Sequence, residues 1–436
     1  DGRKVYGLKR FYDNDSSSVE QKFFTFYDGY LKAGKYVGAI RFNGCTILVL
    51  PKILQGSLKR KKAARLFNYN LLWWLSWSSK INFPKSFNSV GSTEFDILEM
   101  LVLLFATLTR DDLIYNKHQS YVEQEETLST VRGRIDFAKY SVNYATSNPH
   151  RVPCVYDSLE IDNDYNRAIK YTSRFLLMKT QQESTKNILH EIIWILDDVS
   201  DVFTTAADCE RITVSPLKPV MKMVLDYCKL FLSGTSLSSY QDEYEVFSFL
   251  VPMEVLFEDF IYQFIRSSFE NTEGFGNIHG QGGLNSTHLA KENIQGKITG
   301  RFRLKPDIYL ENSDTGDVIA DTKYKKIYSK SEADESERLK SGASANDIYQ
   351  MLAYAVKYNV SKLHLLYPDK LDDADELQSE YIIDSEESGH VQDVSIQYHR
   401  LPSLIKTRDH FEEFELSEFI RHQEKVLKEK LVEILN

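Results

Sequence analysis

The run Phe302-Arg303-Leu304-Lys305-Pro306-Asp307-Ile308-Tyr309-Leu310 is followed by Asn312-Ser313-Asp314-Thr315-Gly316. After it comes Asp317-Val318-Ile319-Ala320-Asp321-Thr322-Lys323-Tyr324. Two apolar-rich strands flank a stretch of turn-forming residues, so the three runs predict a β-hairpin. With the turn centred near Asp314, residues whose numbers sum to about 628 face each other. Asp307 then lies opposite Asp321, and Lys323, two positions on, shares their face. Two opposed carboxylates repel unless a cation sits between them. Hard oxygen ligands of this kind suit magnesium, which takes one or two carboxylates and keeps several waters. The lysine can orient or deprotonate an attacking water, or offset charge building on a phosphate. The bland alternative is an ordinary hairpin with acidic residues near its turn; the sharper one is a metal-dependent phosphodiesterase.

The segments on either side favour the sharper reading. Pro252-Met253-Glu254-Val255-Leu256-Phe257-Glu258-Asp259-Phe260-Ile261-Tyr262-Gln263-Phe264-Ile265 predicts an amphipathic helix with proline in its first turn. Phe257, Phe260, Ile261 and Phe264 form its apolar stripe. Glu258 falls at the stripe's edge, where a carboxylate can approach a metal; Glu254 lies on a similar bearing and is the rival. Downstream, Asn346 to Val356 predicts a second helix whose Gln350 and Tyr354, four apart, share a face. An amide beside a phenol can hydrogen-bond a catalytic lysine or a DNA phosphate.

A glutamate helix, a Pro-Asp strand, an Asp-x-Lys strand and a Gln-x-x-x-Tyr helix, in that order, resemble the PD-(D/E)XK nucleases. More narrowly the chain is similar to the McrC family, the nuclease subunits of GTP-dependent McrBC systems that restrict DNA containing modified cytosine. The resemblance extends to Gly38-Ala39-Ile40-Arg41-Phe42-Asn43-Gly44 with Ile47-Leu48-Val49-Leu50-Pro51-Lys52-Ile53. It includes Val131-Arg132-Gly133-Arg134-Ile135-Asp136 and Asp162-Asn163-Asp164-Tyr165-Asn166-Arg167. In the last, Asp164 stands where the family often has proline. The resemblance implies a Mg2+ site, open to Mn2+, with Asp307, Asp321 and the Thr322 carbonyl as ligands and Glu258 helping directly or through water. Lys323 would position the nucleophilic water, with Gln350 and Tyr354 supporting that lysine or the DNA. It also implies double-stranded DNA as substrate, a McrB-like AAA+ GTPase ring as partner, and room for dimerisation through the nuclease domain.

Charge constrains where DNA affinity can come from. A net charge of −10 over 436 residues excludes a protein that grips DNA over its whole surface. Local contact could come from Lys59-Arg60-Lys61-Lys62, which reads equally as a solvated helix start, or from Lys323-Tyr324-Lys325-Lys326. The deficit fits a partner subunit that supplies most of the DNA affinity. No Gly-x-x-x-x-Gly-Lys-Ser/Thr loop occurs, and Gly280-Gln281-Gly282-Gly283 reads as a turn, so nucleotide hydrolysis falls to that partner. Cys45, Cys154, Cys209 and Cys228 show no Cys-x-x-Cys spacing, indicating neither a zinc site nor a disulfide framework. The run from Ile97 to Leu108 contains Glu99 and is too short for a bilayer. No signal peptide is visible, and a cytoplasmic location is expected; the chain starts at Asp1, which leaves room for residues upstream.

The expected fold class is α+β and multidomain. Residues 1–55 form a β-rich domain, 56–239 a mostly helical region docking the motor partner, and 240–436 a PD-(D/E)XK endonuclease domain. Trp73, Trp74 and Trp77 read as core packing rather than an interface. Helices are expected over Asn166–Met178 and Lys186–Asp198. The stretch Ser233 to Ser239 is the candidate boundary, and Ser329 to Ala345 a loop between catalytic strand and helix. A fragment ending near Ser239 is expected to keep its own core. Two other functions fit the same residues: a regulatory subunit that mainly activates the GTPase, and a nuclease subunit for an unmodified site.

Overall fold

A computed structural model describes the chain except residues 1–23, 28–29, 34–35, 43–44, 52, 54–59, 80–96, 117, 234–245, 273, 282–286, 295–296, 326–342, 370–378, 385–392, 407–415 and 436. The expected linker after Ser233 and nearly all of the expected loop over 329–345 lie outside the described residues. In chain order the described residues form β1 (Phe24–Tyr27), β2 (Tyr30–Ala33), β3 (Tyr36–Phe42), β4 (Cys45–Val49) and α1 (Arg60–Ser76). Next are α2 (Ile97–Tyr115), β5 (Ser120–Leu128), β6 (Arg134–Ile135), α3 (Phe137–Ala145), β7 (Val152–Glu160), α4 (Asp164–Lys179), α5 (Glu183–Ile195), α6 (Ala206–Arg211) and α7 (Pro219–Ser233). The remainder are β8 (Val246–Pro252), α8 (Met253–Phe269), β9 (Phe275–Gly280), β10 (Thr287–Ile294), β11 (Lys297–Leu304), β12 (Ile308–Asn312) and β13 (Val318–Thr322), then α9 (Ala345–Tyr358), β14 (Lys362–Pro368), β15 (Ser379–Ile383), β16 (Val394–Leu401) and α10 (Leu416–Leu435).

This mixed α/β chain divides into two compact units, Asp1–Ile97 with Ser248–Asn436, and Leu98–Phe247. The division near residue 97 falls well beyond the boundary expected at 55, and the reason is visible in α1. Trp74 stacks on Phe260 of α8 at 5.6 Å and lies 5.3 Å from Phe257, while Trp73 meets Phe260 edge-on at 5.1 Å. The Trp74 indole also donates to the Ser403 carbonyl at 2.9 Å, and Trp77 donates to Glu424 of α10 at 2.7 Å. Trp73 and Trp74 are core, as their clustering suggested, with Trp77 half-buried, but the core is that of the C-terminal half.

That half is organised by a six-stranded sheet of order β15-β16-β14-β13-β12-β9. β13, β14 and β16 run parallel, and the other neighbours antiparallel. The hairpin forms in the expected register: Ile308 faces Ala320, Tyr309 faces Ile319, and Leu310 faces Val318. Tyr309, Ile319, Leu363, Leu365 and Ile396 share the face covered by α9, where Met351 and Tyr354 are buried. The other face takes α8. Tyr262 lies against Gly280, which pairs with Ile308; a Cβ at Gly280 would come within 2.8 Å of that ring. Phe257, Phe260, Ile261 and Phe264 are all buried, so the stripe read from the sequence is the packing face. Pro252 stands just outside the helix at its N-cap position rather than in the first turn.

Among the described residues of the β-rich N-terminal stretch, β1 and β2 pair as a sheet of their own, while the sheet of β3 and β4 is completed from far away in sequence. β3 lies between β4 and β8. Gly38 in β3 has φ 141°, and a Cβ there would fall 1.9 Å from the Phe249 carbonyl oxygen. Only glycine permits that approach, which accounts for its place in the Gly38-Ala39-Ile40-Arg41-Phe42 signature.

In the second unit β5 pairs with β7, and β6 joins β7 on its other side. Gly133 turns the chain at φ 67°, where a Cβ would meet the Val155 carbonyl at 2.5 Å. The Asp162–Arg167 signature is a helix start. Asn163 caps α4 by accepting from the Asn166 amide at 3.1 Å, and Asp162 holds Arg167 at 2.7 and 3.1 Å. Asp164 is the first residue of α4. That position tolerates proline and favours an acidic residue near the helix dipole's positive end, so the exchange keeps the start signal.

Candidate active site

Antiparallel β12 begins where parallel β13 ends, so one step beyond the Ile308–Ala320 pair brings Asp307 level with Asp321. Both carboxylates are buried, Asp321 to 1% exposure. Asp307 Oδ2 accepts from the Thr322 amide and hydroxyl, each at 2.8 Å, and Oδ1 accepts from Gln281 Nε2 at 3.0 Å. Asp321 Oδ2 accepts no hydrogen bond of good geometry; its partner is the Lys323 ammonium, with which it forms an ion pair. Burial pushes the Asp321 carboxyl up to about 7, the Asp307 charge adds to the rise, and Lys323 opposes it.

Lys323 is held from both sides. Burial acts to lower its pKa, yet the Asp321 carboxylate outweighs it and the net shift is upward. The side chain is therefore an ammonium, able to donate and to stabilise negative charge. Its Nζ donates to Gln350 Oε1 at 3.0 Å, and Gln350 Nε2 donates to the Tyr354 hydroxyl at 2.8 Å. The Tyr354 hydroxyl donates in turn to the Lys305 carbonyl at 2.9 Å. Burial and the Asp321 charge raise the phenol's pKa, keeping that proton in place. The relay from Asp321 to Lys305 thus closes back on the residue two before Asp307. Gln350 and Tyr354 support the lysine, which is one of the two roles the sequence left open.

The start of α9 is anchored separately. Ser344 and Asp347 form a capping box, and Lys325 reaches Asp347 at 2.9 and 3.1 Å. Of the two lysines read as local DNA contacts, Lys323 is thus engaged with a carboxylate inside the fold, whereas Lys325 pairs with Asp347 at the surface and stays exposed. Lys326 lies outside the described residues, as do Lys59 and the side chains of Arg60, Lys61 and Lys62.

The helix carboxylates are placed differently. Glu254 is exposed and Glu258 half-buried. Both ride on α8, across the sheet from α9 and the Lys323 relay. Among the described residues no group of three or more His, Cys, Asp or Glu side chains has metal-holding geometry, so neither glutamate joins Asp307 and Asp321 in such a group. Gln281 was not anticipated. It lies in a glycine-rich stretch that reads only as a turn, and its approach to Asp307 comes from the β9–β12 pairing, which no local pattern announces.

The fold and this arrangement are those of a mixed α/β protein with a buried carboxylate pair and an ammonium at the end of parallel strands. Residues 31–368 match the model of the McrBC 5-methylcytosine restriction system component, and the chain belongs to that family. Among solved structures, the refined half-complex from the tetradecameric assembly of Thermococcus gammatolerans McrB AAA+ hexamers with bound McrC is similar at TM-score 0.65 and 16% identity. The match covers 95% of this chain and 91% of that one. The cryo-EM structure of the Thermococcus gammatolerans McrBC complex matches at TM-score 0.47 and 18% identity, over 60% and 81%. No curated protein matches. No helix among the described residues is long and apolar enough to cross a membrane.

Proposed function

We propose that this chain is the DNA-cutting subunit of a GTP-dependent restriction system directed at modified cytosine. On this reading it is a Mg2+-dependent endonuclease with a PD-(D/E)XK core in its C-terminal half. It acts in the cytoplasm on double-stranded DNA delivered by an AAA+ GTPase ring, whose GTP hydrolysis it stimulates. The observation that carries the reading is the relay Asp321–Lys323–Gln350–Tyr354 beside the buried carboxylate of Asp307. Membership of the McrBC component family and the fold shared with the archaeal assembly support the partner.

A divalent cation fits the residues present. Asp321 is buried next to a second carboxylate with the single Lys323 ammonium as its ion-pair partner, and a hard cation would offset the charge that one ammonium leaves. Asp307 and Asp321 would hold it, with the Thr322 carbonyl as a further ligand; Glu258, across the sheet, takes no part. When bound it would offset charge on the scissile phosphate and acidify a water. The chain's own part is positioning. Thr322 and Gln281 fix the Asp307 carboxylate, Gln350 and Tyr354 fix Lys323, and the Lys323 ammonium orients the attacking water and stabilises the developing phosphorane charge. The test is cleavage of methylated plasmid by the chain with its GTPase partner, GTP and magnesium. Asp321→Ala should abolish it while assembly and GTP turnover persist; full cleavage by that variant would overturn the reading.

A further inference from the structure

β10 and β11 form a two-stranded sheet of their own, outside the six-stranded sheet. From Ala290 to Arg303, every residue described is solvent-exposed. A lone hairpin with so little burial is marginal in water, yet this one displays Leu289, Ile294, Ile298 and Phe302 openly. Phe302 is 74% exposed and has φ 56°, a left-handed conformation that costs energy for a bulky side chain. Residues 287–305 carry Lys291, Lys297, Arg301, Arg303 and Lys305 against Glu292 alone. That is a formal charge of +4 within a chain of −10. Glu292 is spent on Arg301, so the other four cations find no carboxylate within the ribbon. Edge cations also guard a sheet against edge-to-edge pairing, but acidic residues would serve that purpose equally in so acidic a chain.

The ribbon's base is tied to the site. β11 runs through Lys305 and Pro306 directly into Asp307, and the Lys305 carbonyl is the end of the Tyr354 relay. Whatever the ribbon grips is therefore held in register with the carboxylate pair. A two-stranded ribbon fits the major groove of duplex DNA, and eight residues per strand span roughly 26 Å.

We infer that the β10–β11 ribbon is the chain's own duplex-DNA contact, with Lys291, Lys297, Arg303 and Lys305 on backbone phosphates and Phe302 against the sugar or base edges. This rests on the nuclease reading above and adds to it the surface that brings the duplex to Asp307. It also locates DNA contact away from Lys323, which the fold uses internally.

The experiment is fluorescence anisotropy of the full chain with a labelled duplex, without metal, at several salt concentrations between about 25 and 200 mM. The triple variant Lys297→Gln/Arg303→Gln/Lys305→Gln should lose at least tenfold in affinity at the lowest salt. Its slope of log affinity against log salt should flatten by roughly 3, about one for each phosphate contact removed. Phe302→Ala should weaken binding and leave the slope unchanged, because no charge is lost. Glu292→Lys should steepen the slope, which keeps the proposal testable if the triple variant folds poorly. A wild-type slope in the triple variant, or no duplex binding by the wild-type chain at the lowest salt, overturns the ribbon assignment. Intact DNA binding with lost assembly on the GTPase also overturns it and makes the ribbon a protein interface. Failure of the nuclease reading is separate: it shows as metal-dependent cleavage surviving Asp321→Ala, whatever the ribbon variants do.

Discussion

Gln350 Oε1 accepts from Lys323 Nζ at 3.0 Å, so a helix residue fixes the side chain of the residue that follows β13. The two are joined again lower down, because Tyr354, one turn along α9, is anchored to the Lys305 carbonyl. The lysine is thereby restrained at its tip by groups that do not themselves touch the carboxylate pair.

Removing that restraint should slow cleavage without abolishing it. Gln350→Ala is expected to cost about ten- to a hundredfold in rate, because a misplaced ammonium stabilises charge less well. Lys323→Ala should cost at least as much as a lost electrostatic stabiliser, about 10²–10³-fold. Tyr354→Phe should cost about 1–2 kcal/mol of stability, since it leaves the Lys305 carbonyl without its donor. Single-turnover cleavage and urea unfolding measure these. A Gln350→Ala enzyme as fast as wild type would show that Lys323 needs no support.

Asp307 and Asp321 should act as one unit with Lys323. Asp307→Ala and Asp321→Ala are each expected to abolish cleavage, and adding Lys323→Ala to either to change little, because residues acting together are not additive. Magnesium or manganese should support cleavage, whereas calcium should bind and leave the enzyme slow. Cleavage undiminished in excess chelator would contradict the proposed ligands.

The raised Asp321 pKa sets a pH dependence. Its carboxyl holds a proton up to about 7 in the metal-free fold, and metal must displace that proton. At sub-saturating magnesium, cleavage should fall as pH drops below about 7, approaching tenfold per unit, and level off above it. Saturating metal should move the midpoint down. For the metal-free fold the sign is reversed. A carboxyl whose folded pKa is raised stabilises below its unfolded pKa, and that contribution is lost as pH rises through about 7. The metal-free chain should thus melt higher at about pH 5 than at about pH 8 on this group's account. Rates independent of pH between about 6 and 8 at low magnesium would argue against Asp321 as a ligand.

The packing of α1 changes which fragment should fold. A piece ending near Ser239 would separate Trp73 and Trp74 from Phe257 and Phe260, and Gly38 from β8. It should be poorly folded, while Leu98–Phe247 is the fragment to express. Trp74→Ala in the full chain should cost about 3–5 kcal/mol, through both the cavity and the unpaired Ser403 carbonyl. A cooperatively folded 1–239 fragment, judged by circular dichroism and hydrogen exchange, would contradict this.

Local pattern alone determined the hairpin, its register and the two helices beside it. Turn residues, period-two alternation and a buried stripe are properties of neighbouring positions. Asp307, Asp321, Lys323, Gln350 and Tyr354 could be placed because their spacings of two and four are those of a strand and a helix. What needed the tertiary structure was every contact between elements distant in sequence. Gln281 reaches Asp307 through the β9–β12 pairing. α1 joins the C-terminal core through its tryptophans, and β8 completes the N-terminal sheet only because Gly38 lacks a Cβ. The helix carboxylates show the same limit. Helical period placed Glu258 at the edge of an apolar stripe, but it could not say which face of the sheet that stripe would cover. The stripe covers the face opposite α9. Long-range pairing is selected by packing over the whole core, so no window of sequence contains it.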